Sequence, residues 1–328
     1  MTSLTDTLEF GPGLDIAARS RASAGDLAAL ENQDNFVVID GHGRAVFLHG
    51  EAEHAVQLAG WPRGHVRLAV LDGMGGHGHG RQAAEAAVAG LLRLPACLSA
   101  DELNQRLDAL HKTLQNYFTG AGEDGALKPP GTTLTLLELC PGQAPLLYHV
   151  GDSRLYEITH EQARPLTIDH VPATTFALHG LLGEQEWWQQ VHGEHRAQIS
   201  QAFILGNALS DPQILSGPLY PLQPDKLPPF LRQMADRRAV SVRSDATYLL
   251  ASDGFWACAE PAGWIARWPA LLCGAASARS SLDALFGSFI QEPPPGLHID
   301  NLTAIALRFR PPIRHGNVDE TALPERVF

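Results

Sequence analysis

Cysteine is scarce in this sequence, and its placement excludes both a structural zinc site and a disulfide framework. The chain has 328 residues and 4 Cys, and no two of them form a C-x-x-C pair. Widely spaced single cysteines supply neither the paired ligands of a structural zinc site nor the framework of a disulfide-rich domain. We therefore expect buried free thiols at the four positions, which are Cys97, Cys140, Cys258 and Cys273.

Basic residues and long apolar runs are also in short supply. There are 24 Lys and Arg against 36 Asp and Glu, which gives a formal charge of -12. Such an excess of negative charge is a poor match for a nucleic-acid backbone or an anionic membrane surface. No apolar stretch approaches the length that spans a bilayer, and the opening MTSLTDTLEFGPG does not resemble a secretory signal. The sequence thus predicts a cytoplasmic protein that binds neither nucleic acid nor membrane.

The composition that is present predicts a folded protein with mixed secondary structure. Hydrophobic residues make up 45% of the chain and charged residues 18%, as in ordinary globular domains. Short apolar runs arrive in pairs with tight turns and predict antiparallel strands, while two helices are predicted over 81–93 and from a capping box at Ser99. Strands on both sides of a helical pair indicate one α+β domain. The predicted strands are 36–39, 45–49, 66–71, 132–139, 146–150, 154–158, 247–251 and 302–309.

The most informative segment, LAVLDGMGGHGHG over 68–80, runs from an apolar strand into a glycine-rich turn. Gly73, Gly75 and Gly78 fit the G-x-G-x-x-G spacing of dinucleotide-binding loops. Asp72, however, stands directly before the first glycine, and no acidic strand end follows about 20 residues later as such a loop requires. A divalent cation accounts better for an Asp at a strand end beside a glycine carbonyl.

Four more aspartates stand in similar settings. Each lies at a predicted strand terminus beside Gly, Asn or Ser, where a single Asp is ordinary turn chemistry. Together with the Asp72 segment they indicate an oxygen-rich metal site. They are Asp34, Asp152, Asp253 and Asp300.

These aspartates belong to a series of short motifs whose order and spacing resemble those of PP2C-like (PPM) metal-dependent serine/threonine protein phosphatases of the bacterial type. The resemblance implies a four-layer α-β-β-α sandwich in which two antiparallel sheets pack face to face with helices outside. It also divides the chain into an N-terminal extension and first strand region (1–30), a phosphatase domain (31–310) with an enlarged flap insertion around 172–243, and a C-terminal tail (311–328). The motifs are Asn32-Gln33-Asp34, Asp72-Gly73-Met74-Gly75-Gly76-His77, Gly131-Thr132-Thr133, Val150-Gly151-Asp152-Ser153-Arg154, Leu166-Thr167-Ile168-Asp169-His170, Ser252-Asp253-Gly254 and Asp300-Asn301.

The resemblance further implies a set of metal ligands. Asp72 would bridge two Mn²⁺ or Mg²⁺ ions, and the carbonyl of Gly73 would complete the shell of one of them. Asp253 and Asp300 would hold the other ion. Asp34 would bind metal directly or through water.

A mechanism comes with these ligands. A hydroxide that bridges the two cations would attack phosphorus in line, so no nucleophilic Ser or Cys is required. Asp72 and His77 are the expected catalytic residues, and His77 would protonate the leaving alkoxide.

The sequence departs from the family pattern at two places that concern substrate and metal binding. Family members commonly carry an Arg before the first Asp motif to bind the substrate phosphate, but here Ala28-Ala29-Leu30 occupies that region. Arg19 and Arg21 are the candidates to replace it, and the alternative is that the metal ions alone hold the phosphate. A third metal ion would use Asp152, although the residues after Gly254 offer no acidic partner.

The function expected from the resemblance is hydrolysis of phosphoserine and phosphothreonine in phosphorylated proteins, opposite a Ser/Thr kinase. The missing arginine leaves open a catalytically weak or inactive protein that binds phosphoproteins as a regulator. The glycine spacing alone leaves open a dinucleotide-dependent oxidoreductase.

Overall fold

The structure is a computed structural model that describes residues 3–23, 31–75, 79–120, 130–196, 198–207 and 218–310. The predicted tail at 311–328 lies outside the described residues. The strands, in chain order, are β1 (Leu14–Arg21), β2 (Asn35–Ile39), β3 (Arg44–His49), β4 (Ala52–Gln57), β5 (Val66–Leu71), β6 (Gly73–Met74), β7 (Gly131–Thr132), β8 (Leu134–Leu139), β9 (Leu146–Val150), β10 (Arg154–Ile158), β11 (Ala163–Pro165), β12 (Gln201–Ala202), β13 (Gly206–Asn207), β14 (Arg237–Ala239), β15 (Thr247–Ala251) and β16 (Leu302–Phe309).

The helices fall before the first of these strands and between the others. Short 3₁₀ helices cover Leu4–Thr7, Pro229–Met234 and Asp253–Phe255, and one π-helical turn covers Gln189–Gly193. The α-helices are α1 (His79–Arg93), α2 (Ala100–Gly120), α3 (Pro172–Leu178), α4 (Glu184–Trp188), α5 (Pro261–Ile265), α6 (Trp268–Leu272) and α7 (Ala278–Gln291).

Two antiparallel sheets form the centre of the molecule. One has seven strands in the order β14-β9-β8-β5-β2-β3-β4, and the other has five in the order β1-β16-β15-β10-β11. Strands β9 and β10 are consecutive in the chain but lie in different sheets. The chain therefore crosses from one sheet to the other between them, at residues 151–153.

The sheets pack face to face. Strand β5 shows how the sequence produces this arrangement, because its successive side chains point to opposite faces of the sheet. Leu68 and Val70 of β5 join the core between the sheets, together with Leu250 of the opposite sheet. Ala69 and Leu71, which point the other way, join the core beneath the helices. Such a strand is apolar on both faces because both faces are covered.

Helices cover the two outer faces. On the seven-stranded sheet, Ala83 and Leu91 of α1 share a core with Leu136 of β8. On the five-stranded sheet, Phe286 of α7 shares a core with Leu249 of β15. The predicted four-layer α-β-β-α sandwich is therefore confirmed.

The eight predicted strands are all present, with ends shifted by a residue or two and with 132–139 divided into β7 and β8. Strands β1 and β4 and helix α7 were not predicted. Strand β1 pairs with β16 along its whole length, from Leu14 opposite Phe309 to Arg21 opposite Leu302. This part of the N-terminal segment 1–30 is thus an edge strand of the five-stranded sheet.

The predicted insertion around 172–243 is a packed unit in its described parts. Trp187 is fully buried and donates from Nε1 to Thr174 Oγ1 at 3.1 Å. It shares a core with Leu222, Leu231 and Ile168. Irregular sequence without a clean period therefore builds its own apolar core beside the sheets.

A buried ion pair crosses the seven-stranded sheet between β5 and β8. Arg67 donates to Glu138 from Nε at 2.7 Å and from Nη2 at 2.8 Å. Glu138 also accepts a hydrogen bond from the backbone N–H of Cys97 at 2.9 Å and contacts His65 Nε2 at 2.8 Å. Burial by itself would raise the pKa of Glu138, but the charge of Arg67 and these hydrogen bonds lower it below its usual value.

The four cysteines are free thiols. Cys97 and Cys258 are buried as predicted, whereas Cys140 and Cys273 are half-buried. Among the described residues, no helix combines the length and the apolar character that crossing a membrane requires.

Candidate metal centre

The pairing of strands brings the predicted aspartates to one end of the sandwich. In the seven-stranded sheet β2 and β5 are antiparallel neighbours, with Asn35 opposite Leu71. Asp34 stands just before β2 and Asp72 just after β5. The two carboxylates therefore lie side by side at the same end of this sheet.

The five-stranded sheet contributes its aspartates in the same way. Strands β15 and β16 are antiparallel neighbours, with Ala251 opposite Ala304. Asp253 follows β15, Asp300 precedes β16, and Asp152 lies in the crossing from β9 to β10. We call Asp34, Asp72, Asp152, Asp253 and Asp300 the acidic cluster.

Hydrogen bonds fasten the ends of the two sheets to each other. Ser252 donates from Oγ to Asp34 Oδ2 at 2.7 Å. The backbone N–H of Gln33 donates to Asn301 Oδ1 at 2.8 Å. The residues next to Asp253 and Asp300 thus hold the segment that carries Asp34.

A second set of bonds joins the segments that carry Asp72 and Asp152. The N–H of Asp72 donates to Thr133 Oγ1 at 2.9 Å, and the N–H of Thr133 donates to the carbonyl of Asp72 at 2.8 Å. Thr133 Oγ1 lies 2.5 Å from Ser153 Oγ. The sequence motifs contained Thr133, Ser153, Ser252 and Asn301, but only the contacts show that they position the acidic residues.

Glycine is required where these segments touch. A Cβ on Gly73 would overlap the carbonyl oxygens of Gln33 and Gly80, and a Cβ on Gly254 would overlap the carbonyl oxygen of Asn301. Any larger residue would push the chain segments of the acidic cluster apart. The glycines after Asp72 and Asp253 therefore serve close approach of backbones.

The five carboxyls of the acidic cluster perturb one another. Burial is the largest cause in each case, and for Asp34, Asp72, Asp152 and Asp300 the negative charges of neighbouring members add to it. The pKa of Asp34 rises from 3.8 to about 8, and that of Asp300 rises to about 6. The pKa values of Asp72 and Asp152 rise well above 3.8, and that of Asp253 is also raised. Like charges this close cannot all be ionised unless cations compensate them.

The donor set fits hard divalent cations. Carboxylate oxygens and the carbonyl of Gly73 are the ligand type that Mg²⁺ and Mn²⁺ prefer. Among the described residues, no group of three or more His, Cys, Asp or Glu side chains is placed to hold an ion by itself. Mg²⁺ usually takes only one or two carboxylates and completes its shell with water and substrate phosphate oxygens. Pairs of carboxylates from the acidic cluster therefore satisfy what such ions require from a protein.

Metal-free protein should lose stability as the pH rises from about 4 to about 8, and Mg²⁺ should suppress that loss. A carboxyl whose pKa is higher in the folded than in the unfolded chain stabilises fully below the unfolded pKa, and this contribution disappears as the pH rises through the folded pKa. The relevant folded values are about 6 for Asp300 and about 8 for Asp34. Unfolding temperatures in EDTA and in saturating Mg²⁺ measure the difference. A difference in unfolding temperature between the two conditions that stays constant across this pH range would contradict the effect.

A buried ion pair forms the wall beside the acidic cluster. Arg154 donates to Asp169 from Nε at 3.0 Å and from Nη2 at 2.7 Å, and Nη2 also donates to the carbonyl of Val191 at 2.7 Å. Its guanidinium lies 4.4 Å from the centre of the Trp256 ring. These contacts fix strand β10 to the insertion.

A cleft of about 100 Å³ opens along this wall. Its lining includes Asp152 and Asp253 from the acidic cluster and Phe176, His195 and Arg196 from the insertion. These three residues of the insertion were not predicted from the sequence to be functional. No local motif marks them, because only the folding of the insertion over the sheets brings them here.

The structure places Arg19, a candidate phosphate ligand, against helix α7. Arg19 Nη1 binds Asp283 Oδ1 of α7 at 3.2 Å, and its guanidinium lies 4.7 Å from the centre of the Phe286 ring. Arg21, two residues along the same strand, shares that outward face by the alternation of strand side chains. His77, the expected proton donor, lies outside the described residues.

The dinucleotide hypothesis is also wrong. Strand β5, which leads into the glycine-rich segment, is antiparallel to both of its neighbours, β2 and β8. A dinucleotide-binding loop belongs to a parallel βαβ unit. The glycines here serve close backbone approach within a different fold.

The sandwich is that of the PP2C-like (PPM) serine/threonine phosphatase fold, which confirms the resemblance predicted from the sequence. A serine/threonine phosphatase from Streptococcus agalactiae superposes with a TM-score of 0.62 at 18% identity, covering 90% of this chain and 100% of that one. The catalytic domain of the phosphatase PstP, solved with two manganese ions, superposes with a TM-score of 0.57 at 20% identity, covering 91% and 99%.

Sequence comparison gives a shorter match. The protein phosphatase PhpP of Streptococcus pneumoniae is 34% identical over 110 residues, which are 33% of this chain. The match spans 44% of the length of PhpP, less than half of that relative. No model of a known protein family matches the sequence.

Proposed function

We propose that this protein is a metal-dependent phosphatase that removes phosphate from phosphoserine and phosphothreonine in proteins. The observation that carries the proposal is the acidic cluster, five carboxyls with raised pKa values gathered at one end of the sandwich. The similarity to PhpP and to phosphatase structures supports it. The phosphatase domain would extend over 31–310, with β1 as an additional strand of its sheet.

The ligand roles follow the positions of the residues. Asp72 and the Gly73 carbonyl would hold one ion and the pair Asp253 and Asp300 a second, with water completing both shells and Asp34 binding directly or through water. When bound, two Mn²⁺ or Mg²⁺ ions supply charge neutralisation and an activated water for attack on phosphorus. Two manganese ions in the PstP structure support this number.

The chain's own side chains would orient the substrate and exclude water. Arg196 is a cation in the lining of the cleft that contains Asp152 and Asp253, although it also pairs with Glu194 at 2.7 Å. We infer that Arg196 binds the substrate phosphate that the family arginine would otherwise hold. The Arg154–Asp169 pair would keep this wall rigid. Asp152 would hold a third ion, and His77 would protonate the leaving alkoxide.

The substrates would be phosphorylated proteins, and their phosphate must come from a serine/threonine kinase. Four free cysteines are in keeping with a reducing compartment, which supports the cytoplasm as the place of action.

The test is phosphate release from a phosphothreonine peptide with Mn²⁺, Mg²⁺ or EDTA. We expect metal-dependent turnover that EDTA abolishes. Arg196→Gln should raise KM about tenfold with a smaller change in kcat, because one charge-assisted contact to phosphate is lost. Binding of Mn²⁺ without turnover of any phosphopeptide would contradict the proposal and favour the phosphoprotein-binding alternative.

A further inference from the structure

A large groove borders the insertion and shares no lining residue with the metal-facing cleft. It runs between β11, an edge strand of the five-stranded sheet, and β14, an edge strand of the seven-stranded sheet. The helix Pro229–Met234 of the insertion forms its outer wall. Its volume is about 650 Å³, within the range that holds a ligand or several side chains of a partner.

The groove is apolar over most of its lining and cationic at one side. Trp188, Phe230 and Val240 supply apolar surface. The charged residues among its described lining are Arg164 and Arg238, and no carboxylate belongs to it. In a chain with a formal charge of -12, this local sign is opposite to that of the whole molecule.

Among the described residues, one of the two guanidinium groups has no anionic partner. Arg164 Nη2 pairs with Glu157 Oε1 at 2.8 Å. Within the described parts of the chain, Arg238 donates only to carbonyl oxygens, from Nη2 to Leu166 at 2.7 Å and from Nη1 to Ala239 at 3.3 Å. Its Nε is buried and has no hydrogen-bond partner there. An anion in the groove would satisfy a charge that these residues leave uncompensated.

The groove and the metal-facing cleft both border the same segment of the insertion. Trp188 lines both the groove and an adjoining pocket, which also contains His192. Val191, the residue before His192, lines the metal-facing cleft. Strand β10 contributes Arg154 to the cleft and Tyr156 to the adjoining pocket.

We propose that this groove docks an acidic segment with apolar side chains in the protein substrate. The apolar wall takes the side chains, and Arg238 and Arg164 attract the carboxylates. The apolar wall beside these cations favours a peptide over an isolated small anion. The inference rests on the proposed function only in calling the partner a substrate.

The test is binding of a fluorescein-labelled, unphosphorylated Glu-Leu-Glu-Phe-Glu peptide, compared with a Lys-Leu-Lys-Phe-Lys peptide, by fluorescence anisotropy. Gln233 lines the groove and is exposed, so its charge can be changed without disturbing the fold. We expect Gln233→Glu to weaken binding of the acidic peptide about fivefold and Gln233→Lys to strengthen it. Arg164→Gln should weaken it as well. Arg243→Gln is the matched control, because Arg243 is 58% exposed, pairs with Asp245 and lies outside the groove lining.

Three outcomes would overturn the docking proposal. One is equal affinity of the two Gln233 variants or of the two peptides. Another is displacement of the peptide by millimolar inorganic phosphate with no peptide selectivity, which would indicate a small-anion site. The third is a dimer in light scattering that the Gln233 variants disrupt, which would assign the groove to a second copy of the chain. Hydrolysis of p-nitrophenyl phosphate, measured in parallel, tests the proposed function separately, since binding does not depend on turnover.

Discussion

Asp72→Asn should lower kcat/KM for a phosphothreonine peptide at least about a thousandfold, the equivalent of roughly 4 kcal/mol of transition-state stabilisation. Asp72 is the member of the acidic cluster that interacts with all four of the others. An amide oxygen in its place would be a neutral and weaker ligand for a hard cation. Steady-state kinetics at saturating Mn²⁺ measure the loss, and turnover within tenfold of the wild type would contradict the role of Asp72.

The same variant should remain folded. Burial and the neighbouring carboxylates hold the pKa of Asp72 well above its usual value in the metal-free protein, so the fold already favours the neutral form. Asparagine mimics that form, and we expect its unfolding temperature in EDTA to equal or exceed that of the wild type. The increase on addition of Mn²⁺ should be reduced. Asp283→Asn is a matched control, since Asp283 is 52% exposed and binds Arg19 away from the acidic cluster.

Glu138→Gln should be the most destabilising conservative change outside the metal centre, with a loss of about 3 kcal/mol in the free energy of unfolding. Glu138 and Arg67 are both buried, and the substitution leaves the guanidinium without a countercharge. Urea denaturation measures the loss. Glu292→Gln is the comparison, because Glu292 also pairs with an arginine at 2.7 Å but is 69% exposed, so its loss should cost less than about 1 kcal/mol.

Removing both charges should recover much of this loss. The double variant Arg67→Met, Glu138→Leu replaces the buried pair by apolar side chains and leaves no uncompensated ion. Because the pKa of Glu138 is lowered in the folded state, its contribution is present above the unfolded pKa and disappears as the pH falls through the folded value. The double variant should therefore lose less stability in acid than the wild type does. A double variant no more stable than Glu138→Gln would contradict this account.

Local patterns were sufficient to predict much of the fold. Strand β5 is a short apolar run bounded by polar and glycine residues, and it forms as predicted because its apolar side chains serve both neighbouring cores. Helix α7 carries a comparable signal in Leu282, Leu285, Phe286 and Phe289, which are buried at helical spacing. That helix could have been predicted from the sequence. Strand β4 could not, because it is a mostly exposed edge strand that lacks a clear alternation.

The candidate site likewise contains residues that could be predicted from the sequence and residues that could not. Asp34, Asp72, Asp152, Asp253 and Asp300 could be picked out because each stands at a strand end, and the sheets do bring those ends together. Arg19 could not be judged from the sequence, because its direction depends on helix α7, which lies more than two hundred residues away in the chain. Arg196 and the groove around Arg238 are assembled from segments distant in sequence, so no local pattern marks them.

The sequence by itself determined the layered α+β architecture, the strand ends that carry carboxylates and the family resemblance. The first two follow from periodicity and turn chemistry, which act over a few residues, and the resemblance follows from the order and spacing of the short motifs. Only the tertiary structure decided that the carboxylates are buried close together and therefore require cations. It also decided that Arg19 binds Asp283 of α7. Finally, it placed a guanidinium that has no anionic partner among the described residues in the lining of a groove. Those properties depend on burial and on distances between groups far apart in the chain, and neither is set until the layers have packed.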